Sequence, residues 1–175
     1  MIVNLPVFDF QPTLEGELVR LRPLRPEDED DVFAVASDPL IWEQHPAHDR
    51  YQPNVFRNFF RDALASRGAL IALDGQDGRI IGSSRFHAYN AEAGEVEIGW
   101  TFLARSHWGG KYNKEMKQLM LRHALRFVKR VVFLIGPQNL RSQKAMENLG
   151  GVRAGSRPDA AGRDAYVYEI TSVPV

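Results

Sequence analysis

The chain has no cysteine in 175 residues. That absence removes disulfides, thiolate nucleophiles and cysteine-bound metals together, and it suits a cytoplasmic setting. Net charge is missing too, since 22 Lys and Arg balance 22 Asp and Glu. Bulk electrostatics therefore gives no reason to expect nucleic acid or an anionic membrane as a partner. No window reaches the ~20 apolar residues of a membrane span. The start, Met1-Ile2-Val3-Asn4-Leu5-Pro6, has neither the basic region nor the apolar run of a leader. His87, His107 and His123 lack the paired spacing of a metal site, so no metal is expected. Repeats, low-complexity stretches and linkers are absent, and the length fits one domain, 1–175. A small-molecule or peptide partner is the class that remains.

What is present is a regular alternation of strand and helix signals. Residues 18–24 alternate Leu18, Val19, Leu21 and Leu24 with Arg20 and Arg22, which predicts a strand; Pro26 and the acids 27–30 then open a helix ending near Pro39. Val55, Phe56, Phe59, Phe60 and Leu64 predict a second helix. Two strands, 69–74 and 79–88, flank a Gly75-Gln76-Asp77-Gly78 turn, and a third, 94–103, completes a meander. Met116, Leu119, Met120, His123, Ala124, Phe127 and Val128 predict an amphipathic helix over about 110–129. The apolar run 131–135 reads as a buried central strand, 140–149 as a last helix stopped by Gly150-Gly151, and 164–171 as a terminal strand. The expected fold is an α/β (α+β) sandwich, one mixed sheet with an antiparallel meander and helices packed on it.

The chemistry concentrates after the third meander strand, Glu95-Val96-Glu97-Ile98-Gly99-Trp100-Thr101-Phe102-Leu103. It runs into Trp108-Gly109-Gly110-Lys111-Tyr112-Asn113 and then the long helix. Glycines between a strand's end and a helix's start let backbone N–H groups approach a ligand, and the helix N-terminus adds unpaired donors and about half a positive charge. This is an anion site suited to a phosphorylated ligand. Strict alternation would set Val96, Ile98, Trp100 and Phe102 on one face of the strand and Glu95, Glu97, Gly99 and Thr101 on the other.

Together with Asn139-Leu140-Arg141-Ser142 and Leu149-Gly150, these segments resemble the GNAT acetyltransferase superfamily, in particular its RimJ/RimL-like N-acetyltransferase branch, over about residues 14–171. The resemblance implies splayed central strands, helices on both faces, and acetyl-CoA as co-substrate with its pyrophosphate on the glycine turn. It also implies direct attack on the thioester by an amine in a ternary complex, which suits a chain without cysteine. The partners would be acetyl-CoA and an amine acceptor, the assembly a monomer or homodimer. The glycine turn departs from the family pattern: Gly109 and Gly110 are adjacent, Lys111 stands where a small residue is usual, and Ser106 replaces a Gln or Arg. Lys111 would either crowd the phosphates or swing out and contribute charge, and Arg105 could reach them. Phe102, Leu103, Trp108, Tyr112, Asn113 and Asn139 complete the expected cofactor contacts.

Direct acyl transfer needs a neutral amine, a stabilised oxyanion and a proton for the leaving thiolate. Glu97 is the candidate base, because partial burial would raise its pKa; pairing with Arg85 would make it structural instead. Ser142 is the candidate acid, standing in for a tyrosine that many family members carry in the last helix and this chain lacks; otherwise it is a helix-surface serine. Asn139 would bond the pantetheine, cap the helix, or do both. A backbone N–H near Phe102 or Leu103 would polarise the carbonyl. The segment with Trp42, His45 and Tyr51, together with His87, is where the acceptor is expected, with Trp42 and Tyr51 equally readable as core. A CoA-binding regulatory module without turnover is the rival reading, motivated by Lys111 and the missing tyrosine.

Overall fold

The computed structural model describes residues 7–174; the segment 1–6, discussed above as lacking a leader, lies outside them. Eight strands form one sheet in the order β1-β2-β3-β4-β5-β6-β8-β7. They are β1 (Leu14–Glu15), β2 (Val19–Pro23), β3 (Ala69–Asp74), β4 (Ile80–Asn90), β5 (Glu95–Leu103), β6 (Arg130–Ile135), β7 (Val152–Pro158) and β8 (Asp164–Ile170). The helices are α1 (Glu29–Ala36), α2 (Pro53–Ser66), α3 (Lys111–Ala124) and α4 (Leu140–Asn148). Every pairing is antiparallel except β5 with β6, which α3 connects by a crossover. No helix among the described residues is long and apolar enough to cross a membrane.

Period-two alternation sorts the core into two clusters. Leu70 and Ala72 of β3 join Val96 and Ile98 of β5 and Met116, Met120 and Leu121 of α3 in one. Ala69 and Ile71 join Val32 of α1 and Phe56, Phe59 and Phe60 of α2 in the other. The sheet thus carries helices on both faces, as expected. Helix α3 ends at Ala124, a turn short of the expected boundary. There the Phe127 and Val128 N–H groups both turn back to the Ala124 carbonyl, and Phe127 packs on Phe8 and His123. β1 and β7 were not anticipated; β1 has two residues, and every residue of β7 is exposed, so neither carries an apolar period.

Two departures from regular pairing shape the centre. The β4–β5 ladder runs from Ser83↔Phe102 to Arg85↔Gly99, one residue more on β5, and Trp100 absorbs it at φ 52. This bulge corrects the expected alternation. Val96 and Ile98 join the α3 cluster, but Trp100 and Phe102 join the α2 cluster, while Leu103 returns to the α3 side and Thr101 bonds α3 through Lys117. The second departure is that β5 and β6 pair only at Glu95↔Arg130, Val96↔Val131 and Glu97↔Val132. Beyond them the two strands part.

Candidate active site

The parting of β5 and β6 opens a cleft of about 350 Å³. Ile98 to Leu103 form one wall, Phe133 to Gly136 the other, and Trp108, Gly109, Gly110 and Asn113 close the end at the start of α3. Gly109 and Gly110 have φ 108 and 100, where an L side chain is strained, and nothing stands within 4 Å of a Cβ built on either. Glycine is favoured here by backbone conformation, and the space beside the turn is open. The turn leading in is pinned at two points. Arg105 Nε binds Asp38 Oδ2 at 2.5 Å, and His107 Nε2 meets Asp74 Oδ2 at 2.7 Å while its Nδ1 meets Ser106 Oγ at 2.8 Å.

Of the expected cofactor residues, Phe102, Leu103, Trp108, Gly109, Gly110, Asn113, Asn139 and Ser142 line the cleft. Arg105, Lys111 and Tyr112 do not: Arg105 is committed to Asp38, Lys111 is exposed at the first turn of α3, and Tyr112 packs edge-on against His107 at 4.7 Å. Lys111 therefore leaves the turn uncrowded. Asn139 Oδ1 accepts from the Ser142 N–H at 3.2 Å as an N-cap, while the Ser142 hydroxyl has no partner among the described residues.

Glu97 is 8 % exposed and its carboxyl makes no hydrogen bond or ion pair within the described residues, so the structural pairing with Arg85 is not formed. Its Oε1 would stand 3.1 Å from a Cβ on Gly99, a residue of the cleft wall. Burial pushes the Glu97 carboxyl up to about 7; Arg157 and Arg85 oppose the shift, and Asp159 and Glu95 add to it. On the same side, Trp42 and His45 line the cleft, whereas Tyr51 and His87 lie off its wall. Trp42 is also core, donating from Nε1 to the Ala36 carbonyl at 2.8 Å. His87 packs edge-on against Trp100 at 5.1 Å. Burial, reinforced by the Arg50 charge, lowers His45 to about 3. Its Nδ1 accepts from the Ala47 N–H at 2.9 Å, so the neutral ring carries its proton on Nε2 and is a donor, not a base.

Two further cleft residues belong to motifs that carry the resemblance but were given no role from sequence. Lys117 Nζ is buried against Phe133 and donates to Thr101 and, at 3.4 Å, to Ser84; burial brings it down to about 7. The signal was available, since Lys117 shares the helical face of Met120 and Ala124 at steps of three and seven. Arg141 stacks on Trp108 at 4.2 Å and donates to the Ile41 carbonyl at 2.9 Å, fixing α4 to the loop that carries Trp42 and His45.

The site is an open sheet whose central parallel pair comes apart beside a glycine turn, with a buried carboxyl of raised pKa next to the cleft wall. Comparison with known proteins names this class as acyltransferase. The sequence profile described as Acetyltransferase (GNAT) domain matches residues 19–152. A solved structure, itself only provisionally called an acetyltransferase, is 31 % identical, with 91 % of this chain and 86 % of that chain covered and a TM-score of 0.75. An acetyltransferase from Agrobacterium tumefaciens is 25 % identical over 92 % of this chain and 95 % of that one, at TM-score 0.69. RimJ of Mycobacterium smegmatis, solved with CoA-disulfide, shares the fold at 19 % identity, TM-score 0.67, covering 93 % and 87 %. No curated protein matches. The chain belongs to the GNAT acetyltransferase family and is an acyltransferase.

Proposed function

We propose that the protein is an N-acetyltransferase of the RimJ/RimL-like branch, transferring acetyl from acetyl-CoA to a primary amine in a ternary complex within one domain. The observation that carries the reading is the juxtaposition of the open glycine turn at the start of α3 with the unpaired edges of β5 and β6, beside a buried carboxyl of raised pKa. The pyrophosphate takes the Gly109 and Gly110 amides and the α3 N-terminus, and the pantetheine follows the β5 edge with Asn139 Nδ2 within reach. Glu97, directly or through water, removes the proton from the attacking amine. The amine nitrogen bonds to the thioester carbon, a backbone N–H near Phe102 or Leu103 receives the oxyanion charge, and the C–S bond then breaks. Ser142 delivers a proton to the departing thiolate. His45, neutral and donating, orients the acceptor.

The exposed position of Lys111 removes one motive for the regulatory-module alternative. Thiol release from acetyl-CoA, measured with a panel of amines, tests the reading. Amine-dependent release is expected. Tight CoA binding by calorimetry with no turnover on any amine would return the module, and no CoA affinity at all would overturn both.

A further inference from the structure

Most arginines of this chain that approach an acid do so at or near the surface. Arg22 pairs with Asp28, Arg105 with Asp38, Arg130 and Arg157 with Glu95, and Arg163 with Asp159. The two arginines that are most buried, Arg50 at 9 % and Arg85 at 5 % exposure, do the opposite. Neither makes a hydrogen bond or ion pair with any described residue, and Arg85 Nε is fully buried without a partner. A guanidinium left so is costly, and stacking on aromatic rings offsets only part of the cost. Burial lowers both to about 10, which still leaves them cationic at neutral pH.

Their placement gives the cost a use. Both lie against the same ring, Phe59 of α2, Arg50 at 4.6 Å and Arg85 at 5.8 Å. Arg50 also covers Trp42 at 5.4 Å and Arg85 covers Trp100 at 4.4 Å, and both tryptophans are on the cleft wall. The acids within electrostatic range do not satisfy them. Asp159 is spent on Arg163 and on the Ala161 and Arg163 N–H groups, and Glu97 is held toward its neutral form. Asp49 and Asp62 act only through space. Glu97 beside Gly99, Arg50 beside Trp42 and Arg85 beside Trp100 thus stand directly behind residues of the cleft wall, a carboxyl of raised pKa and two desolvated guanidiniums whose donors await an acceptor.

We propose that Arg50 and Arg85 bind a carboxylate on the acceptor, so that the amine acetylated is that of a small amino-carboxylic acid. The proposal rests on the acetyl-transfer reading of this cleft and names the substrate class for it. A zwitterion matches the charge pattern: its ammonium lies toward Glu97, which takes the proton, and its carboxylate receives charge-assisted hydrogen bonds from the guanidinium forks. The aromatic rings against which the arginines lie hold the forks in place, so little side-chain freedom is lost when the carboxylate arrives.

Matched acceptors test this on the wild-type protein. Thiol release from acetyl-CoA is measured with α- and ω-amino acids, with the corresponding amino-acid amides, and with aminoalkylphosphonates. For the best chain length, kcat/KM for the acid is expected to exceed that of its amide by at least ten-fold, and the phosphonate to fall below the carboxylate. Arg50→Gln and Arg85→Gln should bring the acid-to-amide ratio toward one, chiefly through the KM of the acid, with Arg85→Lys retaining part of the preference. Calorimetry with N-acetylated amino acids and their amides, in the presence of CoA, supplies a readout without turnover. Amines acetylated with no preference for the acid, or a phosphonate preferred to the carboxylate, would overturn the proposal and leave the acetyl-transfer reading standing. Selective, Arg-dependent binding of the N-acetylated acids without turnover of any amine would support the carboxylate site and overturn acetyl transfer. Indifference in both assays would overturn the proposal.

Discussion

Glu97 and Lys117 lie on opposite sides of β5, and burial drives both toward about 7, one from below and the other from above. The consequences for stability have opposite signs. Glu97 has a folded pKa above its unfolded value of 4.5, so its ionised form opposes folding, and the protein loses stability as pH rises from about 4.5 to 7. Glu97→Gln should therefore be more stable than wild type at pH 8 by up to about 3 kcal/mol, with the pH-dependent gain gone at pH 4, as read by urea unfolding. The same variant should lose the rise in turnover rate through pH 7; an unchanged profile would remove Glu97 as the base. Lys117 has a folded pKa below its unfolded value of 10.5, so wild type regains stability as pH rises from 7 toward 10.5. Lys117→Met gives up the bonds to Thr101 and Ser84 at every pH. Its stability relative to wild type should nevertheless improve as pH falls from 10.5 to 7, by up to about 5 kcal/mol. The burial of Glu97 was readable because period two put a carboxylate on a central strand. The unpaired state of Arg85 was not, since charge pairing depends on side chains brought together from β4, β5 and α2.

At the scale of elements, the helices and strands with a clear apolar period were legible. The misses have local causes: β7 is exposed along its whole length, α3 closes early on Ala124, and one extra residue at Trp100 inverts the facing of everything after it. No period in sequence announces that inversion, because the extra residue shows only in the pairing of β5 with β4, where Trp100 takes φ 52 with Arg85 over its ring and His87 at its edge. The glycine turn, in contrast, was legible from composition alone. Gly109→Val forces a β-branched side chain onto φ 108, a strain of about 1–3 kcal/mol. It should raise KM for acetyl-CoA by ten-fold or more with a smaller effect on KM for the amine. Helix α3 has a second anchor that sequence left unexplained. The Glu115 carboxylate accepts from the Glu17, Leu18 and Val19 N–H groups at 3.1, 2.7 and 2.7 Å, tying the helix to the entry of β2. Glu115→Ala leaves those donors short of an acceptor and should cost about 3 kcal/mol in denaturant unfolding.

At the scale of the whole molecule, the two clusters on either side of the sheet meet different needs. The α3 cluster is the larger and joins aliphatic side chains to a group of rings around Phe8, whereas the α2 cluster packs against the two unpaired arginines through Phe59. The layered order of the fold was legible because it follows from local alternation; the parting of the central strands was legible only through the family resemblance, because it arises where two strands distant in sequence stop pairing. That stop has a mechanical meaning. The strands up to residue 103 form one continuous antiparallel ribbon, those from residue 130 form another, and three rungs join them. Such a seam is the sheet's weakest line, and amides at 98–103 and 133–135 that face it should exchange with deuterated water well before those of β3 and β4. On the proposed acetyl-transfer reading, a coenzyme arm lying along the β5 edge would supply rungs the chain itself does not make. Adding CoA should therefore slow exchange along the seam on both ribbons together, with the molecule borrowing its ligand as a strand.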